Sequence, residues 1–148
     1  AFATENFAWM RSVNYLIIAQ NNGEWMGYQY YVNLMPGQPR ANEPGNINPA
    51  VVNKSVCDSL LQYITQHKAW NIKGETGQNF CSNGNTACNI NDASTARLWL
   101  ITKNRLINPS YYAPVFFEQC CPGNKDRALF LSIINKIQDS VAVQANSR

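Results

Sequence analysis

Charge is scarce in this chain. Asp, Glu, Lys and Arg make up 14% of its 148 residues, where an average soluble domain carries about 25%. The formal balance is a mild +3, and the basic residues are scattered, the tightest group being Arg97, Lys103 and Arg105. A duplex binder needs a basic stripe that meets several phosphates together, so no nucleic-acid partner is expected. Long apolar runs are missing as well. A helical membrane span takes about 18 or more consecutive apolar residues, and the runs here are short, such as Ala128-Leu129-Phe130-Leu131. No transmembrane segment is expected. Histidine is reduced to His67. Neither a P-loop, G-x-G-x-x-G, H-E-x-x-H, G-x-S-x-G nor an EF-hand loop occurs. Amides stand where charges would: 20 Asn and 9 Gln, a surface that solvates well but steers charged ligands weakly.

The length suits a single globular domain over 1–148, large enough to bury roughly 68–70% of its unfolded surface without a covalent staple. Ala1-Phe2-Ala3 has the small-x-small form of a signal-peptide end, a form that chance also produces; the expectation of an exported, periplasmic or extracellular protein rests on the disulfide-like placement of the cysteines.

Cysteine is present in an odd number: Cys57, Cys81, Cys88, Cys120 and Cys121. Spacings such as C-x2-C and H-x3-H are absent, so structural zinc is not expected, and the missing C-x-x-C removes a thioredoxin-like redox centre. No cofactor is expected. Cys81 and Cys88 flank a stretch containing Asn83-Gly84, a strong turn signal. That predicts a clasp between Cys81 and Cys88. Vicinal Cys120 and Cys121 are poor partners for each other. Cys57 is then expected to pair with one of them, leaving one thiol over.

Helical spacing supplies the fold expectation. Phe7, Met10, Val13 and Ile17 recur at three and four within Thr4 to Gln20, with Thr4 as cap and Asn21-Asn22-Gly23 as stop. Asn48-Pro49 reads as a helix start leading Val52, Val56, Leu60, Ile64 and His67 down to about Trp70. Residues 71–91 read as a loop, and Asp92 as the cap of a helix holding Ala96, Trp99, Leu100 and Ile107. After Pro122-Gly123, Asn124 caps a last helix with the stripe Phe130, Ile133, Ile134, Ile137 and Val141. The expectation is a mainly α domain of about four helices with long irregular loops, such as residues 36–49, clasped by disulfides. The alternative is α+β, with short strands near 25–35 and 112–121.

Functional candidates are few. Glu24 and Glu118 are the carboxylates whose aromatic neighbours in sequence can raise a pKa as a glycosidase acid requires. A small secreted hydrolase is therefore one alternative reading, and a Cys/His metal-binding domain another. His67, on an apolar stripe, reads as a packing residue. Tyr28, Tyr30, Tyr31, Tyr111 and Tyr112 cluster in two apolar segments, and Tyr is enriched at protein interfaces. The leading expectation is a non-enzymatic exported interaction or structural protein, a subunit of a cell-envelope or extracellular assembly. Its partner is another protein or itself, with the odd cysteine as a tether. An N-terminal amphipathic helix before a disulfide-clasped part is similar in plan to the soluble domains of pilins, without a pilin's long apolar N-terminal segment.

Overall fold

The computed structural model describes residues 1–8, 12–33, 47–75, 80–81 and 87–142; for 5–8, 12, 31–33 and 141–142 it describes the backbone alone. The predicted turn at Asn83-Gly84, Met10 of the first stripe and most of the 36–49 connection lie outside the described residues.

Residues expected as the first helix form two strands. β1 (Phe2–Ala8) and β2 (Ser12–Asn21) pair antiparallel from Phe2↔Ile18 to Ala8↔Ser12. Successive strand residues point to opposite faces, and Phe2, Thr4, Leu16 and Ile18 share one of them. The stripe of threes and fours was a coincidence of two strands read as one element. Asn22 and Gly23, at φ 49° and 84°, turn the chain so that Asn21 pairs with Glu24. Both central residues in the left-handed region match the two-residue hairpin turn that Asn-Gly favours. This Asn-Gly starts a hairpin; it does not stop a helix. β3 (Glu24–Asn33) follows, where the alternative reading placed a strand near 25–35.

β4 (Ile47–Ala50) pairs with β3, so Asn48-Pro49 lies in an edge strand, where a residue without an N–H is tolerated. The helix expected there begins later, as α1 (Lys54–Gln66), capped by Asn53, whose Oδ1 accepts from the Ser55 N–H at 2.9 Å. Asp92 caps no helix. It sits at φ 59° and leads into β5 (Thr95–Ile101), which lies beside β1. On the other side of β5 run β6 (Leu106–Ile107) and β7 (Ser110–Tyr112), interrupted at Asn108-Pro109. The expected strand near 112–121 is instead mostly α2 (Pro114–Cys120). The last helix stands as read: α3 (Lys125–Ala142), with Asn124 Oδ1 accepting from the Arg127 N–H at 3.0 Å.

Among the described residues the fold is thus a seven-stranded antiparallel sheet, ordered β4-β3-β2-β1-β5-β6 with β7 also on β5, carrying three α-helices. The mainly α expectation is corrected. The β-branched and aromatic residues of 13–32 and 95–101 fit a pleated, half-buried surface better than a helix. With β1 and β2 in place of an N-terminal helix, the likeness in plan to pilins loses the feature that carried it.

α1 and α3 cover one face of the sheet. Cys57, Leu60 and Ile64 of α1 and Phe130, Ile133, Ile134 and Ile137 of α3 close over Phe2, Ile18, Leu98 and Leu100. Gly27 belongs to this face, in register with Ile18. A Cβ on it would stand 2.6 Å from Val52 Cγ1 and 2.7 Å from the Ala50 carbonyl oxygen, so only glycine lets the chain after β4 pack so closely. A second, smaller core gathers Cys88, Ala113, Phe117 and Cys121 with Phe80, Ile90 and Tyr112. Two disulfides hold it: Cys81–Cys121 and Cys88–Cys120. The predicted Cys81–Cys88 clasp is therefore replaced by two longer links to the end of α2, each vicinal cysteine taking its own partner. The thiol left over is Cys57, buried in the main core.

Candidate functional site

The sheet's other face is built from the alternate residues of every strand. Register aligns them in rows. Pro49, Tyr28, Ile17, Ala3 and Trp99 form one, and Ile47, Tyr30, Tyr15, Glu5, Arg97 and Ser110 the next. Met26 with Ala19 and Ile101 with Leu106 continue the face toward the hairpin end. Among the described residues, the exposed large apolar side chains are Met26, Ile47, Val51, Ile101, Leu106 and Val115. Four of these six stand on this face: Met26 at 36% exposure, Ile47 at 49%, Ile101 at 37% and Leu106 at 55%. Monomeric soluble proteins seldom expose a contiguous apolar patch of more than a few hundred Å².

The aromatic rings there are held in place by their neighbours. Tyr15 and Tyr30 are register partners with ring centroids 5.8 Å apart. The Tyr28 hydroxyl donates to Met26 Sδ at 3.4 Å, and the Arg97 guanidinium lies 5.8 Å from the Trp99 ring centroid, within cation–π range. Large rings fixed by cross-strand packing lose little conformational freedom on binding, which is why Tyr and Trp dominate interface energetics.

Of the five tyrosines singled out from sequence, Tyr28 and Tyr30 are on this face. Tyr31 falls at a position in register with Asn14, on the opposite face, and its side chain lies outside the described residues. Tyr111 is 1% exposed, packed on Phe130 at 4.6 Å with its hydroxyl donating to the Lys73 carbonyl. Burial and neighbouring carboxylates push that hydroxyl far above its ordinary value. Tyr112 is part of the disulfide core, its hydroxyl accepting from the Ala93 N–H at 3.0 Å. Reading by residue type missed Ile17, Trp99, Ile101 and Leu106. The sequence signal for them was period-two alternation, hidden while 95–101 was read as a helix.

The remaining candidates are engaged elsewhere. Glu118 accepts from Arg127 Nε at 2.9 Å, while Glu24 is exposed beside the β2–β3 turn. Glu24 opens β3, whereas Glu118 lies on α2 and is held by Arg127 of α3, so the two stand on different elements with different partners. The pairing that the sequence did not suggest is Glu118 with Glu75, both ion-paired to Arg127. The Arg127 side chain is fully buried and also donates to the carbonyls of Phe80 at 2.7 Å, Phe117 at 3.0 Å and Cys121 at 2.7 Å. It knits α2, α3 and the disulfide core together. His67 is exposed at the end of α1, outside the core where its apolar stripe placed it; its Nδ1 lies 3.0 Å from the Tyr63 carbonyl and its ring is 4.0 Å from that of Tyr63. The sulfurs of Cys81, Cys88 and Cys121 lie within 4.8 Å of one another, but all three are committed to disulfides and are not the thiolates that a metal requires.

A groove of about 370 Å³ runs between α1 and α3, lined by Val56, Tyr63, Lys136 and Asp139 among others. Within it Lys136 Nζ is over the Tyr63 ring at 4.6 Å, and the Tyr63 hydroxyl is 2.8 Å from Ser132 Oγ. The open sheet face is the stronger site. No family model matches the chain, and neither the curated proteins nor the solved structures provide a similar one.

Proposed function

We propose that this chain is a non-enzymatic, exported interaction protein that takes its place in an extracellular or cell-envelope assembly through the outward face of its sheet. The observation that carries this reading is that four of the six exposed large apolar side chains among the described residues, Met26, Ile47, Ile101 and Leu106, stand on the same sheet face as Tyr28 and Tyr30. Burying them against a protein surface returns about 25 cal/mol per Å² of apolar area, without requiring the charge that this sequence lacks.

Two disulfides favour an oxidising compartment, where such bonds persist. Among the described residues no helix is long and apolar enough to cross a membrane. The carboxylates and the histidine considered for catalysis serve as structural partners or stand apart, which leaves binding as the better-supported role. The test is photo-crosslinking in the native setting from positions 28 and 101, with position 115 on α2 as the off-face reference. Protein adducts from the two face positions are expected. Adducts from position 115 alone would overturn the reading.

A further inference from the structure

Building on that interaction reading, we infer that the occupant of the outward face is a second copy of this chain, packed sheet to sheet about a two-fold axis. The sheet's edges are poorly suited to pairing. β4 is four residues long and contains Pro49, which has no N–H to offer. The other edge is split into β6 and β7 at Asn108-Pro109. Short strands and edge prolines blunt strand-to-strand extension, so the surface left for association is the face.

The charge pattern fits a copy. A two-fold interface sets a patch against itself, so a patch of one sign repels its twin. Here the two central charged positions, Glu5 and Arg97, have opposite sign and are register partners across β1 and β5. Glu24 adds one charge near the hairpin turn. An anionic polymer needs several cations along its track and meets a single one, Arg97, among the described residues of this face.

The outline of the face is of the right order. Five strands, β4 to β5, and the seven residues of β1 or β5 give a plane of about 24 by 23 Å at ordinary strand spacing and rise. That outline, about 550 Å², includes Ala3 and Val13, which are already covered, and so sits at the low end for an interface, below the ~600 Å² per partner at which standard ones begin. Two sheets meeting this way interleave their side chains about 10 Å apart. An area at the low end of the interface range suits a reversible dimer rather than an obligate one.

Sedimentation velocity of the intact, disulfide-bonded chain from low to several hundred micromolar tests this. A concentration-dependent monomer–dimer equilibrium is expected, weakened at least tenfold by Tyr28→Lys or Leu106→Lys and unchanged by Val115→Lys, whose site on α2 is 56% exposed. Hydroxyl-radical footprinting of the unaltered chain needs no variant: Met26 and Tyr28 should be protected in concentrated samples and labelled in dilute ones. A strict monomer throughout the range, or a dimer indifferent to the face substitutions, overturns the proposal. So does a monomer that binds an oligonucleotide or a polysaccharide through this face. Crosslinks from positions 28 and 101 to a different protein would sink the second copy while leaving the interaction reading standing.

Discussion

Arg127 on α3 donates from Nε to Glu118 Oε2 on α2 at 2.9 Å, with none of its side chain exposed to solvent. A buried guanidinium has no water to fall back on, so each of its donors has to find a protein acceptor. They reach Glu118 and three backbone carbonyls, and the Glu75 carboxylate lies 3.5 Å from Nη1 as an ion pair without a hydrogen bond. Removing one member of a buried ionic group leaves the others charged and dry, at a cost of about 3–5 kcal/mol. Arg127→Met is expected to lose at least that much in urea denaturation at neutral pH. Replacing Glu75 and Glu118 with Gln in the same chain should recover part of the loss. The carbonyls of Phe80, Phe117 and Cys121 would remain without their donor. Full recovery would show that the carboxylates alone account for the role of Arg127.

The carboxylates Glu75 and Asp58 should give opposite pH signatures. Burial pushes Glu75 above its ordinary value of 4.5, outweighing the Tyr112 N–H and Arg127, which pull it down. The folded chain therefore holds this proton more tightly than the unfolded one. Its contribution to stability is fully present below 4.5 and is lost as pH rises through the folded value. Asp58 is held below its ordinary 3.8 by hydrogen bonds from Lys54 and the Trp25 indole. Its contribution is present above 3.8 and fades as pH falls through the folded value. Denaturation midpoints across the acid range check both. The difference between wild type and Glu75→Gln should shrink as pH rises. The difference between wild type and Asp58→Asn should grow.

Gly27→Ala is expected to destabilise by about 1–3 kcal/mol, the usual range for overpacking. The added methyl would meet the Ala50 carbonyl oxygen at 2.7 Å as well as Val52 Cγ1 at 2.6 Å, and the backbone cannot swing aside as a long side chain can. Combining it with Val52→Ala should relieve only the second clash, so denaturation of the double variant should still show a loss attributable to β4.

Lys68 offers the reverse case. It follows α1 in the left-handed region, at φ 52° and ψ 37°, and is exposed. A Cβ there costs about 1–2 kcal/mol, and glycine's greater freedom when unfolded gives back about 0.4–1. Lys68→Gly should therefore stabilise by roughly 0.5–1 kcal/mol, seen as a higher urea midpoint with an unchanged slope.

How far the sequence reached depended on whether the decisive contact was local. The last helix was legible because Phe130, Ile133, Ile134 and Ile137 lie on one turn-spaced stripe and all four are buried. That stripe also held the clue to the ion network, since Arg127 continues it three residues before Phe130, where a charge has to be paired. Asn22-Gly23 was in plain view, but reading residues 4–20 as a helix turned a hairpin signal into a stop signal. Tyr28 and Tyr30 share a face because they are two apart in a strand. Trp99 joins them only through β1 and β2, a relationship that pairing register creates and no local window contains. The disulfides span 40 and 32 residues. With vicinal partners at one end, spacing alone favoured the short and incorrect closure between Cys81 and Cys88.

Cys57, expected to pair with Cys120 or Cys121, is instead the odd cysteine, and its burial does not suit the odd cysteine to the role of a tether. It is 0% exposed, on the α1 face that packs against the sheet. Burial, with Asp58 beside it, raises its pKa, which lowers the thiolate fraction that any exchange or alkylation needs. A thiol in this setting reacts only when the core opens, so its native rate follows the free energy of opening. Without reductant, a disulfide-exchange reagent should find no reactive thiol in the native chain and one per molecule in denaturant. Cys57→Ser should cost about 1–3 kcal/mol, because it buries a hydroxyl in an apolar site, while leaving any assembly through the sheet face at its wild-type affinity. Native labelling at the rate of a free thiol would mean that α1 lifts from the sheet far more easily than its packing against Ile18 and Leu100 implies.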